Sequence, residues 1–453
     1  MGNHISTEEL GRLVSGRLVP AEARRIVRHL LTDCPTCQPK AATYGRVLFE
    51  LDEGTEPAVA STGEHGGYGA AFEGALASLL QRDLPRFEKE FSLLDRLLAA
   101  AAEKPSLLDA LRTVRRRDHG GWPEVEAMLR LADEERYRDR AKMLEFATFA
   151  NVGAASLDPA VYGAGLVADL QARAMGELAN AFRLNDEFDA AENFLARAIE
   201  RTEEGTGDDL VLARLLDVTV SMHMDRRQLG EALETVNHVE QLYRRNGETH
   251  LAGRALISRG IATFYDDRHQ EAVHFFRKGL EEIDEKQDPQ LAAMARHDLI
   301  YALVACGEYR EAGRLLFESN LREAYAAEPI GLLRLRWVEG AIFAGRRRFD
   351  QAERALLDTR EGFLAQGEEY DASLVGLDLA GVWLELGKVR AVQELAEEMF
   401  EVFRELAVHR EAVRALRTFR DACREEEATV GLARQVLTFI RQVEWHPQRR
   451  FAV

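Results

Sequence analysis

Cysteine is scarce in this chain: four residues in 453, two of them a tight pair and two isolated within helical stretches. That excludes a disulfide framework and makes the cytoplasm the expected compartment. No apolar run approaches the roughly 20 residues a helix needs to cross a bilayer, so no membrane partner is expected. Basic charge is in deficit, with 59 Lys and Arg against 77 Asp and Glu and a formal net charge of −18. Broad nucleic-acid binding, which rests on basic phosphate contacts, is not expected of such a chain; a basic partner suits it better. The alternating β-branched pattern of strands is missing. So are a Walker loop, a dinucleotide fingerprint, a nucleophile elbow and a kinase signature. Nothing argues for an enzyme, although missing motifs alone do not exclude one. The N-terminus, Met1 to Glu9, is polar and acidic rather than a secretory signal. Met1 to Ser6 fits the N-myristoylation pattern, but chance is the better reading of so short a match.

What is present is a period. Phe188, Leu229, His269, Tyr309, Phe349 and Val389 recur at intervals of 40, the first interval alone being 41. Three residues after each stand Ala191, Ala232, Ala272, Ala312, Ala352 and Val392. Small residues recur nine positions before the marker, at Ala179, Gly260, Gly340 and Ala380. Each unit reads as two helices and a short turn. Leu299, Ile300, Leu303 and Val304 line one helix, Gly307-Glu308 makes the turn, and Tyr309, Ala312, Leu315 and Leu316 line the next. Such a pair buries only one face, so neighbours must stack to complete a core.

Around the array the chain divides as follows. Residues 1–51 hold three short helical patterns, the first opened by Ser6 with Glu9 at the capping-box position. Residues 52–70 are crowded with Gly, Ser and Pro and read as a flexible linker. Residues 71–165 are helical without a clear repeat; Leu84, Phe87, Phe91, Leu94, Leu97 and Leu98 trace one face, and Gly120-Gly121-Trp122-Pro123 breaks it. Residues 166–453 hold the array, with Thr429, 40 beyond Val389, in a closing cap.

Arg259-Gly260, Gly307-Glu308-Tyr309-Arg310-Glu311-Ala312 and Arg348-Phe349-Asp350-Gln351-Ala352 resemble tetratricopeptide (TPR) repeats. The standard unit is about 34 residues, so longer helices or turns are expected here. The resemblance implies an all-α, TPR-like α-solenoid, a right-handed superhelix of helix pairs with a concave binding surface and no catalysis. Tyr309, Phe349, Trp337 and Trp383 are expected in the core, since stacking requires aromatics at repeat spacing. Cys306 and Cys423 read as small buried hydrophobes, and Arg346-Arg347-Arg348 as a solvated turn. Met222-His223-Met224 carries soft-metal donors, but its place in a first helix favours packing.

The sharpest local chemistry is His29 followed by Cys34-Pro35-Thr36-Cys37. Cys-x2-Cys lets two thiolates reach one metal; with His4 and His29 the set would be a closed, neutral, tetrahedral Zn2+ site, structural rather than catalytic. A redox dithiol is the alternative, though no thioredoxin-like βαβ pattern surrounds the pair. His4-Ile5-Ser6-Thr7-Glu8-Glu9-Leu10, Arg28-His29-Leu30 and Cys34-Pro35-Thr36-Cys37 resemble the zinc-binding anti-sigma module. The resemblance implies His4, His29, Cys34 and Cys37 as ligands. It departs from the family pattern in one respect: four residues, not three, separate His29 from Cys34.

These observations lead to a cytoplasmic, non-enzymatic adaptor. Its array would bind a protein partner and its zinc module would control a sigma factor or similar regulator. The alternatives are a scaffold subunit of a larger, effector-type assembly and a receptor whose groove senses a peptide or small ligand.

Overall fold

The structure of the chain, a computed structural model, describes residues 84–103, 121–136, 138–406 and 408–451, together with Ile5, Ser6, Glu9 and Ile26. Every regular element among the described residues is a helix, in the all-α, TPR-like repeat arrangement that the period predicts. The chain forms two units. One runs to Val211 and includes Arg245–Gly247; the other holds Leu212–Arg244 and Glu248–Val453.

The first unit contains α1 (Leu84–Glu103), α2 (Trp122–Glu135), α3 (Arg140–Ala155), α4 (Pro159–Tyr162), α5 (Ala164–Leu184) and α6 (Phe188–Thr202). The expected break stands where α2 starts: Gly121 takes φ 109°, and Pro123 sits in the first turn, where no N–H is needed. Asp139 caps α3 by accepting from the Ala141 and Lys142 N–H groups. α3 packs on α2 and α5, and α5 on α6. Leu94 and Leu97, from the apolar face traced above, are buried with Met128, Met143, Phe146 and Leu178.

The second unit carries the regular array. It comprises α7 (Asp209–Asp225), most of which lies here, then α8 (Leu229–Arg245), α9 (Thr249–Tyr265), α10 (His269–Glu282), α11 (Pro289–Ala305), α12 (Tyr309–Glu318) and the short α13 (Leu321–Ala324). There follow α14 (Pro329–Gly345), α15 (Phe349–Ala365), α16 (Glu369–Glu385), α17 (Val389–Glu405), α18 (Arg410–Arg424) and α19 (Val430–Val443). From Asp209 to Val389 a helix begins every 20 residues, and most of these helices are 17 residues long. The 40-residue period is therefore two helices of about 25 Å and two three-residue turns.

The turn has a chemical reason. Asp186, Arg227, Asp267, Gly307, Arg347, Gly387 and Glu426 all have φ between 59° and 80°. The N–H of the following residue donates to a carbonyl five positions back: Arg268 to Thr263, Glu308 to Leu303, Arg348 to Phe343 and Lys388 to Trp383. This is the Schellman arrangement, which satisfies the last carbonyls of the first helix. Close approach does the rest. A Cβ on Gly260 would lie 2.8 Å from the Phe276 ring, and one on Gly340 would lie 2.8 Å from Leu356. Ala191, Ala232, Ala272, Ala312 and Ala352 are fully buried.

At the end of the unit the order changes. α17 packs on α18, and α19 turns back to pack on both α18 and α16. Thr429 caps α19, its Oγ accepting from the Leu432 N–H. Val436, Leu437, Ile440 and Val443 of α19 join Phe403 and Phe419 in one core.

Candidate functional site

The return of α19 sets the chain's last residues across the first helices of the preceding pairs. Tyr265, Tyr301 and Trp337 stand on α9, α11 and α14 at intervals of 36, one repeat less about one helical turn. Asp298, Arg334 and Tyr370 follow the same interval on α11, α14 and α16. A step of one repeat minus one turn draws a stripe running obliquely across consecutive helices. Aromatic rings and acidic groups, Asp298, Asp371 and Asp378, thus gather on one face.

The C-terminal segment engages this face at each step. The Arg441 guanidinium lies 4.9 Å from the Trp337 ring centre, 5.4 Å from that of Tyr301 and 3.9 Å from Asp378 Oδ2. Trp337 donates its indole N–H to the same Asp378 oxygen over 2.8 Å. Tyr370 donates to Glu444, and Arg227 pairs with Glu444 at 3.0 Å. Trp445 stacks on Tyr265 with ring centres 3.9 Å apart and planes at 20°. Arg449 reaches Asp267 at 3.4 Å. Arg450 and the Phe451 N–H then close on the buried carboxylate of Glu411 at 2.8 and 3.3 Å.

Burial pushes the Asp378 carboxyl above its usual range, although Arg441 and the Trp337 N–H act against it. Burial raises Asp371 too, opposed by Arg334. The Tyr370 hydroxyl is raised by burial and by its bond to the Glu444 carboxylate. Such a face suits a cationic and aromatic occupant: carboxylates that are costly to leave charged and alone, beside ring faces that attract a guanidinium.

Trp337 is buried, as the repeat spacing predicts, but partly under Arg441, so the C-terminal segment contributes to its environment. Trp383 and Phe349 are half-buried; the Trp383 indole donates to Glu353, which also pairs with Lys388 at 2.6 Å. Tyr309 is half-buried, and its ring lies against Gly345. Cys423 is buried, its thiol pushed up to about 12 by burial, whereas Cys306 is partly exposed at the end of α11. Met222 is buried, Met224 is half-buried and the half-buried His223 bonds Gln228 at 2.9 Å. Arg346, Arg347 and Arg348 are exposed in their turn. His4, His29, Cys34 and Cys37 lie outside the described residues. Among the described residues no cluster of His, Cys, Asp or Glu could hold a metal, and no helix is long and apolar enough to cross a membrane.

No family model matches the chain, and no curated protein matches it in sequence. Solved structures do. The apo form of the quorum sensor NprR from B. thuringiensis superposes with a TM-score of 0.54 at 14% identity, over 68% of this chain and 82% of that one. A Rap protein complexed with Competence and Sporulation Factor matches over 89% and 99% at 12% identity and a TM-score of 0.49. Aspartyl phosphate phosphatase F from Bacillus subtilis matches over 89% and 95% at 14% identity and a TM-score of 0.47. The likeness to NprR is one of fold: helical repeats.

Proposed function

We propose that this chain is a cytoplasmic, non-enzymatic regulatory adaptor that binds a protein or peptide partner on the first-helix face of its array. The oblique stripe of Tyr265, Tyr301 and Trp337 beside Asp298, Asp371 and Asp378 carries this reading. It offers recognition chemistry, rings and carboxylates, on a scaffold of stacked helices. NprR, a quorum sensor, shares the fold, and a peptide sensor is the form the proposal takes if the occupant is a short peptide.

The N-terminal residues extend the proposal. His4, His29, Cys34 and Cys37 would hold Zn2+ as two imidazoles and two thiolates, a donor set that closes the metal's coordination and leaves no open position for catalysis. The metal would supply folding energy to a segment too short to build a core alone. Ser6 and Glu9 exchange the two capping-box hydrogen bonds, Ser6 N–H to Glu9 Oε2 at 2.8 Å and Glu9 N–H to Ser6 Oγ at 3.1 Å, so a helix start stands just after His4. Through this module the protein would engage a sigma factor or similar regulator.

The test is partner capture from the source cell by the full chain, by a Tyr265→Ala/Asp371→Lys variant, and by a chain lacking residues 1–50. Loss of a partner with the double variant supports the array reading. Unchanged recovery with both altered chains overturns the adaptor.

A further inference from the structure

This first-helix face is covered by a segment whose chemistry departs from the rest of the protein. The chain carries a formal charge of −18, yet residues 430–451 hold Arg434, Arg441, Arg449 and Arg450 against Glu444 as their one carboxylate. Arg441 lies in the last turn of α19 and Trp445 one turn later. The Trp445 and His446 N–H groups both donate to the Gln442 carbonyl, so the chain keeps a helical turn between the two side chains.

Two sets of contacts hold this region, and they differ in kind. α19 is anchored by apolar side chains, Val436, Leu437, Ile440 and Val443, in the core shared with α16 and α18, and Phe451 beyond it packs on Phe439 in the same core. The residues facing the stripe are held by a guanidinium over two rings, one ring stack and ion pairs on side chains that are only half-buried. Releasing the second set leaves the first intact. The stripe itself is built for an occupant of this type. Tyr301 and Trp337 receive Arg441, Tyr265 receives Trp445, and Asp378 supplies the counter-charge.

Two of the five residues that hold the left-handed turn position with a side chain attached reach this segment. Gly307 and Gly387 serve the left-handed turn position in two repeats, but Arg227 and Asp267 hold φ 61° and 68° there with side chains attached. Those side chains meet Glu444 and Arg449. Left-handed backbone is costly for a residue with a Cβ, and here the side chain contributes a contact that glycine cannot.

We infer that the stripe of Tyr265, Tyr301, Trp337 and Asp378 is a recognition site for a helical segment of a partner protein that presents an arginine and an aromatic residue one turn apart. The Arg441 and Trp445 side chains are an internal copy of that ligand, and the partner must displace them from the rings while Val443 and Phe451 stay in the core. The inference rests on the array being the partner-binding part of the protein, and it names what the array recognises.

The probe is a fluorescent peptide of residues 438–451, titrated by anisotropy into the full chain. Wild type is compared with a full-chain Arg441→Ala/Trp445→Ala variant, whose α19 core is unaltered and whose fold is checked by circular dichroism. The peptide is expected to bind the variant at least about tenfold more tightly than wild type, because the internal copy no longer competes. Alanine at the Arg441 and Trp445 positions of the peptide is expected to weaken that binding about tenfold or more. So is Tyr265→Ala added to the variant chain, a change at a ring already 37% exposed. Equal affinity for wild type and variant, or for native and substituted peptide, overturns the inference whatever becomes of cellular partner capture. If the peptide behaves as expected while partner capture is unchanged by Tyr265→Ala/Asp371→Lys and by loss of residues 1–50, the recognition site stands and the adaptor reading falls.

Discussion

Trp337 and Asp378 are joined across adjacent first helices by one indole N–H···O bond of 2.8 Å, with Arg441 lying over the indole and beside the carboxylate. Removing the acceptor and removing the charge are therefore different experiments. Asp378→Ala leaves a buried indole N–H without its acceptor and is expected to cost about 1–3 kcal/mol in urea unfolding. Asp378→Asn keeps an acceptor and removes the charge. Because burial raises this carboxyl, the native state holds its proton more tightly than the unfolded chain does. The group's contribution is complete below the usual value of 3.8 and is lost as pH rises through the raised one. The Asn variant should lack that fall, so its stability should gain on wild type as pH rises through this window.

His269 behaves in the opposite sense. Burial lowers its pKa, against the pull of Asp267, and its ring lies 4.8 Å from that of Phe264. The native state therefore resists the proton that the unfolded chain accepts near 6.5. The stabilisation is complete above that value and fades as pH falls from it towards the lowered one. His269→Phe should remove this slope. Thermal unfolding midpoints of both proteins across that interval check it; parallel pH profiles would rule the account out.

The left-handed turn positions give a comparison within one molecule. Arg347→Gly relieves the backbone at φ 59° and gives up an exposed 3.8 Å pair with Glu385 and a guanidinium 5.6 Å from the Phe349 ring centre, so a net gain of about 0.5–1 kcal/mol is expected. Asp267→Gly relieves a similar strain but releases Arg449 and, 3.6 Å away, His269, so its gain should be smaller or negative, also above the pH at which His269 is neutral, where the Arg449 ion pair alone is lost. Equal gains at both positions would remove the tail contact from the explanation.

Gly260 tests the helix contact directly. An added methyl would lie 2.8 Å from the Phe276 ring, so Gly260→Ala is expected to destabilise by about 1–3 kcal/mol despite the better helix propensity of alanine. Chemical denaturation measures the balance, and a stabilised variant would show that the ring yields.

For the proposed zinc module, metal analysis of the purified protein should return close to one equivalent of zinc, and Cys34→Ser should lose most of it. Less than about half an equivalent in the wild type would count heavily against the site.

The array was legible because it repeats. Stacking imposes the same steric demand every 40 residues, so Ala272, Ala312 and Ala352 show in the sequence what they do in the core. The turn was only half legible. Gly307 and Gly387 announce a left-handed residue, whereas Arg227, Asp267 and Arg347 take the same φ with side chains that do not announce it. The face proposed for binding was not picked out residue by residue. Its interval of 36 is written in Tyr265, Tyr301 and Trp337, but an aromatic at near-repeat spacing reads as core until something is seen lying across it.

The sequence by itself determined the helices, their register and their pairing, since these follow from side-chain size and short-range turn chemistry. It also carries the donor set His4, His29, Cys34 and Cys37. Only the tertiary structure decided that α19 folds back onto α16 and that Arg441 and Trp445 meet rings from three earlier helices. Residue 445 and residue 265 are 180 positions apart, and no local rule links them. Their contact exists because stacked helices bring one turn of each repeat to a common face, and because α19 folds back and the turn after it carries Trp445 onto that face.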